Sequence, residues 1–220
     1  MINRVELKEE AKKMMSGNIW NLLMPWLIVL GVSFVISLLG NLFGFTTIDY
    51  QTVSFSDGKT WLTLIWSLLT GIVTACVTVG VTNYYLMFVR GKNPTINDVF
   101  TVLKDKTVLV ILVSLLSTVL ISVGFILFVI PGVILSFGYA MINYIICDEE
   151  KNSVGAWEVL KKSWNMMNGY KMDYFVLVLS FFGWILLCFL IIPLIYVVPY
   201  MEVTVTLYYE KLKSLKTTVK

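Results

Sequence analysis

Side chains that could do chemistry are scarce in this sequence. Histidine is absent, which removes the commonest general base, metal ligand and pH switch. Cys76, Cys147 and Cys188 lie in apolar stretches without C-x-x-C spacing, so we expect neither a zinc site nor a disulfide framework. The sequence also contains no P-loop, H-E-x-x-H or nucleophile-elbow motif. These observations predict a protein that is not an enzyme and has no cofactor, metal site or catalytic residue.

Glu202 is the one ionisable residue deep within a long apolar segment. A charge at the centre of a bilayer costs about 2.5–3.5 kcal/mol, and no lysine or arginine lies at matching depth, so we expect a neutral or hydrogen-bonded carboxyl group. Such a residue either marks a proton, ion or substrate path or belongs to a polar packing network. Asn83 and Asn143, near the inner ends of other segments, complete a candidate intramembrane polar site, although interhelical hydrogen bonding also accounts for them.

The elements that must position these residues are apolar helices. The chain is 58% hydrophobic and 14% charged, against about 25% charged in an average soluble domain. Its long apolar segments are residues 19–43, 61–89, 107–147 and 174–209. A spanning helix needs about 20 residues, so the last two segments each hold two, with breaks expected at Ile130-Pro131-Gly132 and near Ile192-Pro193. The pattern predicts an all-α membrane protein with six transmembrane helices in three hairpins.

Basic residues indicate the orientation of these helices. Four lie in each of the N-terminal segment, residues 90–106, residues 148–173 and the C-terminus, so sixteen of the 17 fall on one side. The loop at residues 44–60, on the other side, holds only Lys59. The positive-inside rule then places both termini in the cytoplasm.

Each hairpin is preceded by a charged segment with helical periodicity, which we interpret as an amphipathic helix at the cytoplasmic interface. The third has an apolar stripe of Val154, Trp157, Leu160, Trp164 and Met167. Trp157, Lys161, Lys162 and Trp164 are its candidate interfacial anchors. Lys12-Lys13-Met14-Met15-Ser16-Gly17 resembles Asn165-Met166-Met167-Asn168-Gly169. We therefore predict one transmembrane domain, residues 1–220, with internal repeats at 1–90, 91–148 and 149–213.

Several motifs resemble a family of bacterial integral membrane proteins, domain of unknown function 975. They include Ile130-Pro131-Gly132, the segment from Lys162 to Gly169, and Tyr208-Tyr209-Glu210. A more distant likeness is to the membrane domain attached to some glycerophosphodiester phosphodiesterases, whose catalytic domain has no counterpart in this sequence. The resemblance implies a multi-pass protein of the bacterial cytoplasmic membrane and implies no reaction.

Two functions remain open at this point. The first is a non-enzymatic protein that interacts with lipid, a membrane partner or a membrane-active peptide, as an accessory or immunity factor does. The second is a small transporter or channel that uses Glu202 as a proton or cation site. The scarcity of polar residues in the spans favours the first. No nucleic-acid partner is expected, because the basic residues are dispersed along the membrane face.

Overall fold

The fold is entirely helical in the part of the chain that the structure describes. This computed structural model describes residues 2–45, 58–150, 154–187 and 191–218. Within those ranges it has no strand, and its helices are α1 (Arg4–Met15), α2 (Ile19–Leu42), α3 (Gly58–Val89), α4 (Asp98–Leu127), α5 (Val129–Gly138), α6 (Ile142–Asp148), α7 (Ala156–Met167), α8 (Lys171–Leu179), α9 (Phe182–Leu187) and α10 (Ile191–Thr218). The predicted all-α class is confirmed.

Four helical segments among the described residues are long and apolar enough to cross a membrane. They are α2, the Trp61–Val89 part of α3, α4, and α5 together with α6. Their outer faces expose large apolar side chains, such as Phe34 and Ile126, which hydrocarbon accepts and water does not. These helices are consistent with a membrane protein. The predicted fifth and sixth spans run through residues 188–190, which lie outside the described residues, and they stay predictions.

Proline lies near the helix breaks, but not at the expected position. The break between α4 and α5 is at Phe128, whose backbone is extended (φ −161°, ψ 153°), and Pro131 is the third residue of α5. Pro193 is likewise the third residue of α10. Proline fits the first turn of a helix because the amides there have no intrahelical acceptor. The predicted break at Ile130-Pro131-Gly132 was therefore placed too far along the chain.

Pro25 lies inside α2 and leaves one carbonyl of that helix without its usual donor. Because proline has no amide hydrogen, the carbonyl of Asn21, four residues earlier, receives no helical hydrogen bond. The Tyr84 hydroxyl of α3 donates to that oxygen at 3.0 Å, and the Tyr85 hydroxyl donates to the Leu22 carbonyl at 2.6 Å. Hydrogen bonds to backbone carbonyls near Pro25 thus join α2 to α3.

The end of the bundle that holds α1 and the end of α10 contains many of the large buried side chains. The Lys211 amine of α10 is 3.3 Å from the Glu6 carboxylate of α1, so the first helix and the end of the last lie side by side. Large side chains that are fully buried include Tyr85, Tyr200, Tyr208, Tyr209, Phe181, Leu7 and Met15. Aromatic rings therefore supply much of the contact area at this end.

Two short helices at this end, α1 and α7, have the same length and share three buried positions. Each has 12 residues. The buried residues at equivalent positions are Leu7, Ala11 and Met15 in α1 and Val159, Ser163 and Met167 in α7.

The turns that follow these two helices also match. Gly17 and Gly169 have φ values of 85° and 84°, a left-handed conformation that glycine adopts without a steric penalty. The amide of Asn18 donates to the Met15 carbonyl at 2.9 Å, and the amide of Tyr170 donates to the Met167 carbonyl at 3.0 Å. Both are type II turns that lead into an apolar helix.

Candidate functional site

Asp148, at the end of α6, is the centre of an ion-pair cluster. Its carboxylate lies 2.7 Å from the Arg90 guanidinium and 2.6 Å from the Lys213 amine, and it accepts a hydrogen bond from the Tyr209 hydroxyl at 2.7 Å. Arg90 also pairs with Glu210 at 2.7 Å. The Asp148 side chain is only 13% exposed, so these partners compensate a carboxylate that is largely removed from water. This cluster, which we name the Asp148 hub, ties together the ends of α3, α6 and α10.

A row of polar side chains follows one face of α10 inward from the Asp148 hub. Lys213, Tyr209, Thr206 and Glu202 recur at spacings of three and four residues, which puts them on the same side of the helix. The Tyr209 ring stacks on Tyr144 of α6, with centroids 4.8 Å apart, and the Tyr144 hydroxyl is 3.3 Å from the Thr206 hydroxyl. We name Lys213, Asp148, Tyr209, Tyr144, Thr206 and Glu202 the polar seam.

Glu202 is the innermost member of the polar seam. Its side chain is half-buried, and no described residue donates a hydrogen bond to its carboxylate or forms an ion pair with it. Tyr85 of α3, Tyr144 of α6 and Tyr174 of α8 lie within electrostatic range of it. Its backbone carbonyl accepts a hydrogen bond from Thr206 at 2.7 Å. A carboxylate without a partner in such a setting can bind a proton or a cation.

The two asparagines of the predicted polar site have other surroundings. The Asn83 amide donates to the Asp98 carbonyl at 3.1 Å and contacts the sulfur of Met87 at 3.6 Å, so Asn83 joins α3 to the start of α4. Asn143 is half-buried and makes no hydrogen bond through its side chain to any described residue. The contacts of Asn83 are those of interhelical packing, and neither asparagine forms a hydrogen bond with Glu202 within the described ranges.

The predicted interfacial anchors on α7 divide into two groups. Trp157 is 61% exposed, and Lys161 is also exposed. Lys162 pairs with Glu149 at 2.5 Å. Trp164 packs against Gly138, where a β-carbon would lie 2.4 Å from its ring, and the Lys171 amine lies 3.0 Å from the ring centroid. Trp157 and Lys161 therefore face outward, whereas Lys162 and Trp164 hold α7 to the rest of the protein.

The face that α7 packs against the bundle differs from its predicted apolar stripe. The residues of α7 that are buried are Val159, Leu160, Ser163 and Met167, whereas Trp157 is exposed. Ser163 is buried because its hydroxyl donates to the Gly138 carbonyl at 2.9 Å. A serine can therefore take a core position that a hydrophobicity pattern assigns to the polar face.

Comparison with known proteins supports one family. A family model described as "Protein of unknown function (DUF975)" matches residues 22–216. The chain belongs to the DUF975 family. Neither the curated proteins nor the solved structures include a match to it. The likeness of this DUF975 chain to the membrane domain of glycerophosphodiester phosphodiesterases stays a prediction.

Three lysines of this DUF975 protein cap helix C-termini, a role that the sequence analysis missed. The Lys106 amine donates to the carbonyls of Ile146, Cys147 and Glu149 at the end of α6, the first two at 2.7 and 3.0 Å. The Lys216 amine donates to the Asn168 carbonyl, after α7, at 3.2 Å. Cations are favoured at these ends because the last carbonyls of a helix have no amide partner.

The third of these lysines, Lys8, joins α1 to the end of α8. Its amine donates to the Ser180 carbonyl, after α8, at 3.1 Å and lies 4.1 Å from the centroid of the Phe181 ring. Burial, together with the nearby charges of Arg4 and Lys12, lowers the pKa of this amine below its ordinary value. The amines of Lys8 and Lys106 are therefore both bound by backbone carbonyls of the protein itself.

Proposed function

We propose that this DUF975 protein is a non-enzymatic, multi-pass protein of the bacterial cytoplasmic membrane. It acts by binding lipid, a membrane partner or a membrane-active peptide, as accessory and immunity proteins do. Three repeated units would each contribute an interfacial helix and a two-span hairpin, which gives six spans. The match between α1 and α7, and between the turns that follow them, supports the repeat.

The observation that carries this proposal is the surface of α7. Trp157 and Lys161 are exposed on a helix whose opposite side is packed against the bundle. A tryptophan beside a lysine suits the boundary between headgroups and acyl chains, because the ring prefers the interface and the amine pairs with anionic headgroups. The exposed residues of α7 are thus available to a membrane surface or to a partner bound on it.

A peptide of residues 153–167 is expected to gain helical circular dichroism on anionic vesicles and less on neutral ones. The reason is that Lys161 and Lys162 add electrostatic attraction to the partitioning of Trp157. A matched peptide with both lysines replaced by glutamine should lose the preference for anionic vesicles but keep a gain on both. If the native peptide gains no helix on either kind of vesicle, intrinsic membrane binding by α7 is refuted.

The orientation we propose puts both termini in the cytoplasm. It is supported by the sixteen-to-one division of basic residues and by the contacts that bring α1, Arg90, Asp148 and the end of α10 to one end of the bundle.

Cysteine labelling can test this orientation. In a chain whose three native cysteines are replaced by alanine, an impermeant maleimide added to intact cells should label Ser56→Cys but not Lys92→Cys. Lys92 is exposed between α3 and α4, and Ser56 lies outside the described residues. Lysed cells are the control for the reactivity of each cysteine. Labelling of position 92 in intact cells would show that the orientation is the opposite of the one we propose.

The alternative function is a small transporter or channel. Glu202 favours this alternative. A half-buried carboxylate without a hydrogen bond or ion pair among the described residues is energetically costly in a membrane, and such residues often mark a proton or ion path. A transporter needs Glu202 to be reachable from both sides of the membrane in turn. Access from one side only would instead favour the interaction proposal.

A further inference from the structure

The polar seam runs inward from one end of the bundle and stops at Glu202. Lys213 and Glu202 are eleven residues apart on α10, which at 1.5 Å per residue is about 16 Å, or roughly half the thickness of the hydrocarbon core. Beyond Glu202, the same face of α10 continues with Val198 and Ile195, which are apolar. Among the described residues, the polar row thus has one open end.

The open end is the one that holds the charges of the Asp148 hub. Lys213 is 43% exposed there and Arg90 is 32% exposed, so water reaches the outer members of the seam. Further in, the seam offers hydroxyl groups: Tyr209 donates to Asp148, and Tyr144 and Thr206 are in hydrogen-bond contact. Hydroxyl groups both donate and accept hydrogen bonds, which lets them pass a proton along a chain.

We propose that Glu202 is a proton-binding site that exchanges protons through the polar seam with the side of the membrane that carries both termini, and with that side only. In this step an O–H bond of a hydronium ion on that side breaks, which leaves water, and an O–H bond forms on a carboxylate oxygen of Glu202, which gives a neutral carboxylic acid. A hydroxyl group that relays the proton accepts one proton and gives up another, so it is unchanged at the end. We assign a proton rather than a larger solute, because the described groups within electrostatic range of the carboxylate are the tyrosines Tyr85, Tyr144 and Tyr174.

The groups near Glu202 favour this assignment. Tyr85 of α3, Tyr144 of α6 and Tyr174 of α8 lie within electrostatic range of its carboxylate, and the Thr206 hydroxyl of α10 donates to its backbone carbonyl. No charged side chain among the described residues of the packed helices acts on the carboxylate. A proton can therefore neutralise it without competition from a lysine or arginine.

The inference rests on the alternative function only in taking Glu202 to bind a proton. It differs in the route, since a transporter opens to both sides and the polar seam opens to one. The two are separated by a probe that reads the protonation of Glu202 while the pH on each side of the membrane is set independently.

The probe is dicyclohexylcarbodiimide, a membrane-permeant reagent that modifies protonated carboxyl groups in apolar surroundings. The full chain is reconstituted in vesicles, its orientation is measured by trypsin cleavage at the C-terminal lysines, and labelling of Glu202 is quantified by peptide mass spectrometry. Glu202→Gln gives the background. In the range where the carboxylate is the major form, labelling is expected to rise about tenfold for each unit by which the pH falls on the side of the termini. The extent of labelling is expected not to change with the pH on the other side.

Two threonines supply a matched pair of variants for the route. Thr206 and Thr204 are both buried, and each donates to the carbonyl four residues earlier at 2.7 Å, but only Thr206 contacts Tyr144. After a pH jump on the side of the termini, Thr206→Val should slow the change in labelling several-fold, and Thr204→Val should leave it unchanged. Equal rates in the two variants would overturn the seam as the route.

The other outcomes also decide the matter. Labelling that follows the pH on the opposite side overturns the proposal, and labelling that follows both sides overturns it while supporting the transporter. Labelling that is absent, or independent of pH, in protein that remains monodisperse shows that Glu202 is not a proton site. None of these results bears on binding by α7, which the vesicle experiment with the peptide tests separately.

Discussion

Gly80→Ala is expected to destabilise the protein by about 3 kcal/mol, the upper end of the range for overpacking. Gly80 lies in α3 where that helix touches the start of α4. A β-carbon at this position would be 2.1 Å from the carbonyl oxygen of Val99 and 3.0 Å from its carbonyl carbon. Both are backbone atoms, which cannot rotate away as a flexible side chain can, so α3 and α4 must separate.

Gly71→Ala is the matched control, since it makes the same change in the same helix. No atom lies within 4 Å of the β-carbon that this substitution adds. Alanine has a higher helix propensity than glycine, so Gly71→Ala should be neutral or stabilising by up to about 1 kcal/mol.

The two variants are compared by the temperature at which each loses its monodisperse peak in mild detergent. A midpoint for Gly80→Ala equal to that of Gly71→Ala would contradict the close approach of α3 to α4. The same result would also contradict the hydrogen bond from the Asn83 amide to the Asp98 carbonyl, because that bond depends on the same approach of the two helices.

The apolar segments were predictable because their length and lack of charge leave little choice. Segments 19–43 and 61–89 correspond closely to α2 and to the spanning part of α3. Hydrophobicity is a property of each segment alone, so no knowledge of neighbouring helices is needed. The exact breaks were less predictable, because proline is tolerated in the first turn of a helix and only marks the neighbourhood of a boundary.

The face that α7 presents to the bundle could not be read from hydrophobicity. Trp157 and Leu160 are similar in apolar character, yet Trp157 is exposed and Leu160 is buried. In a membrane protein both lipid and protein accept apolar side chains, so the pattern does not say which of the two a residue meets. The buried Ser163 shows the converse, since its hydrogen bond to Gly138 depends on a helix that is distant in the sequence.

The Asp148 hub was missed for a related reason. Arg90 and Asp148 each follow an apolar segment in the sequence, and this position implies only that they lie at the membrane boundary. Their pairing depends on α3 and α6 ending at the same depth and side by side, which is a property of the packing. A signal was nevertheless present, since opposite charges directly follow two spans that end on the same side.

Asp148→Ala is expected to destabilise the protein by about 2–4 kcal/mol. The substitution leaves Arg90, Lys213 and Tyr209 without the carboxylate that they share. Removing one partner of a buried ion pair costs about 3–5 kcal/mol, and the lower range applies here because Arg90 and Lys213 are partly exposed to water. Glu10→Ala, which removes an exposed carboxylate of α1, should change stability by less than about 0.5 kcal/mol.

A double-mutant cycle shows whether the cost of Asp148→Ala comes from its partners. Arg90→Gln breaks the same pair, so the two substitutions together should cost less than their sum, by about 1–2 kcal/mol. The remaining cost belongs to Lys213 and Tyr209, which keep their contacts with Asp148 when Arg90 is changed. Stability is measured by unfolding in increasing dodecyl sulfate. If Asp148→Ala costs no more than Glu10→Ala, the ends of α3, α6 and α10 are held together by their tyrosines, and the Asp148 hub contributes nothing to their packing.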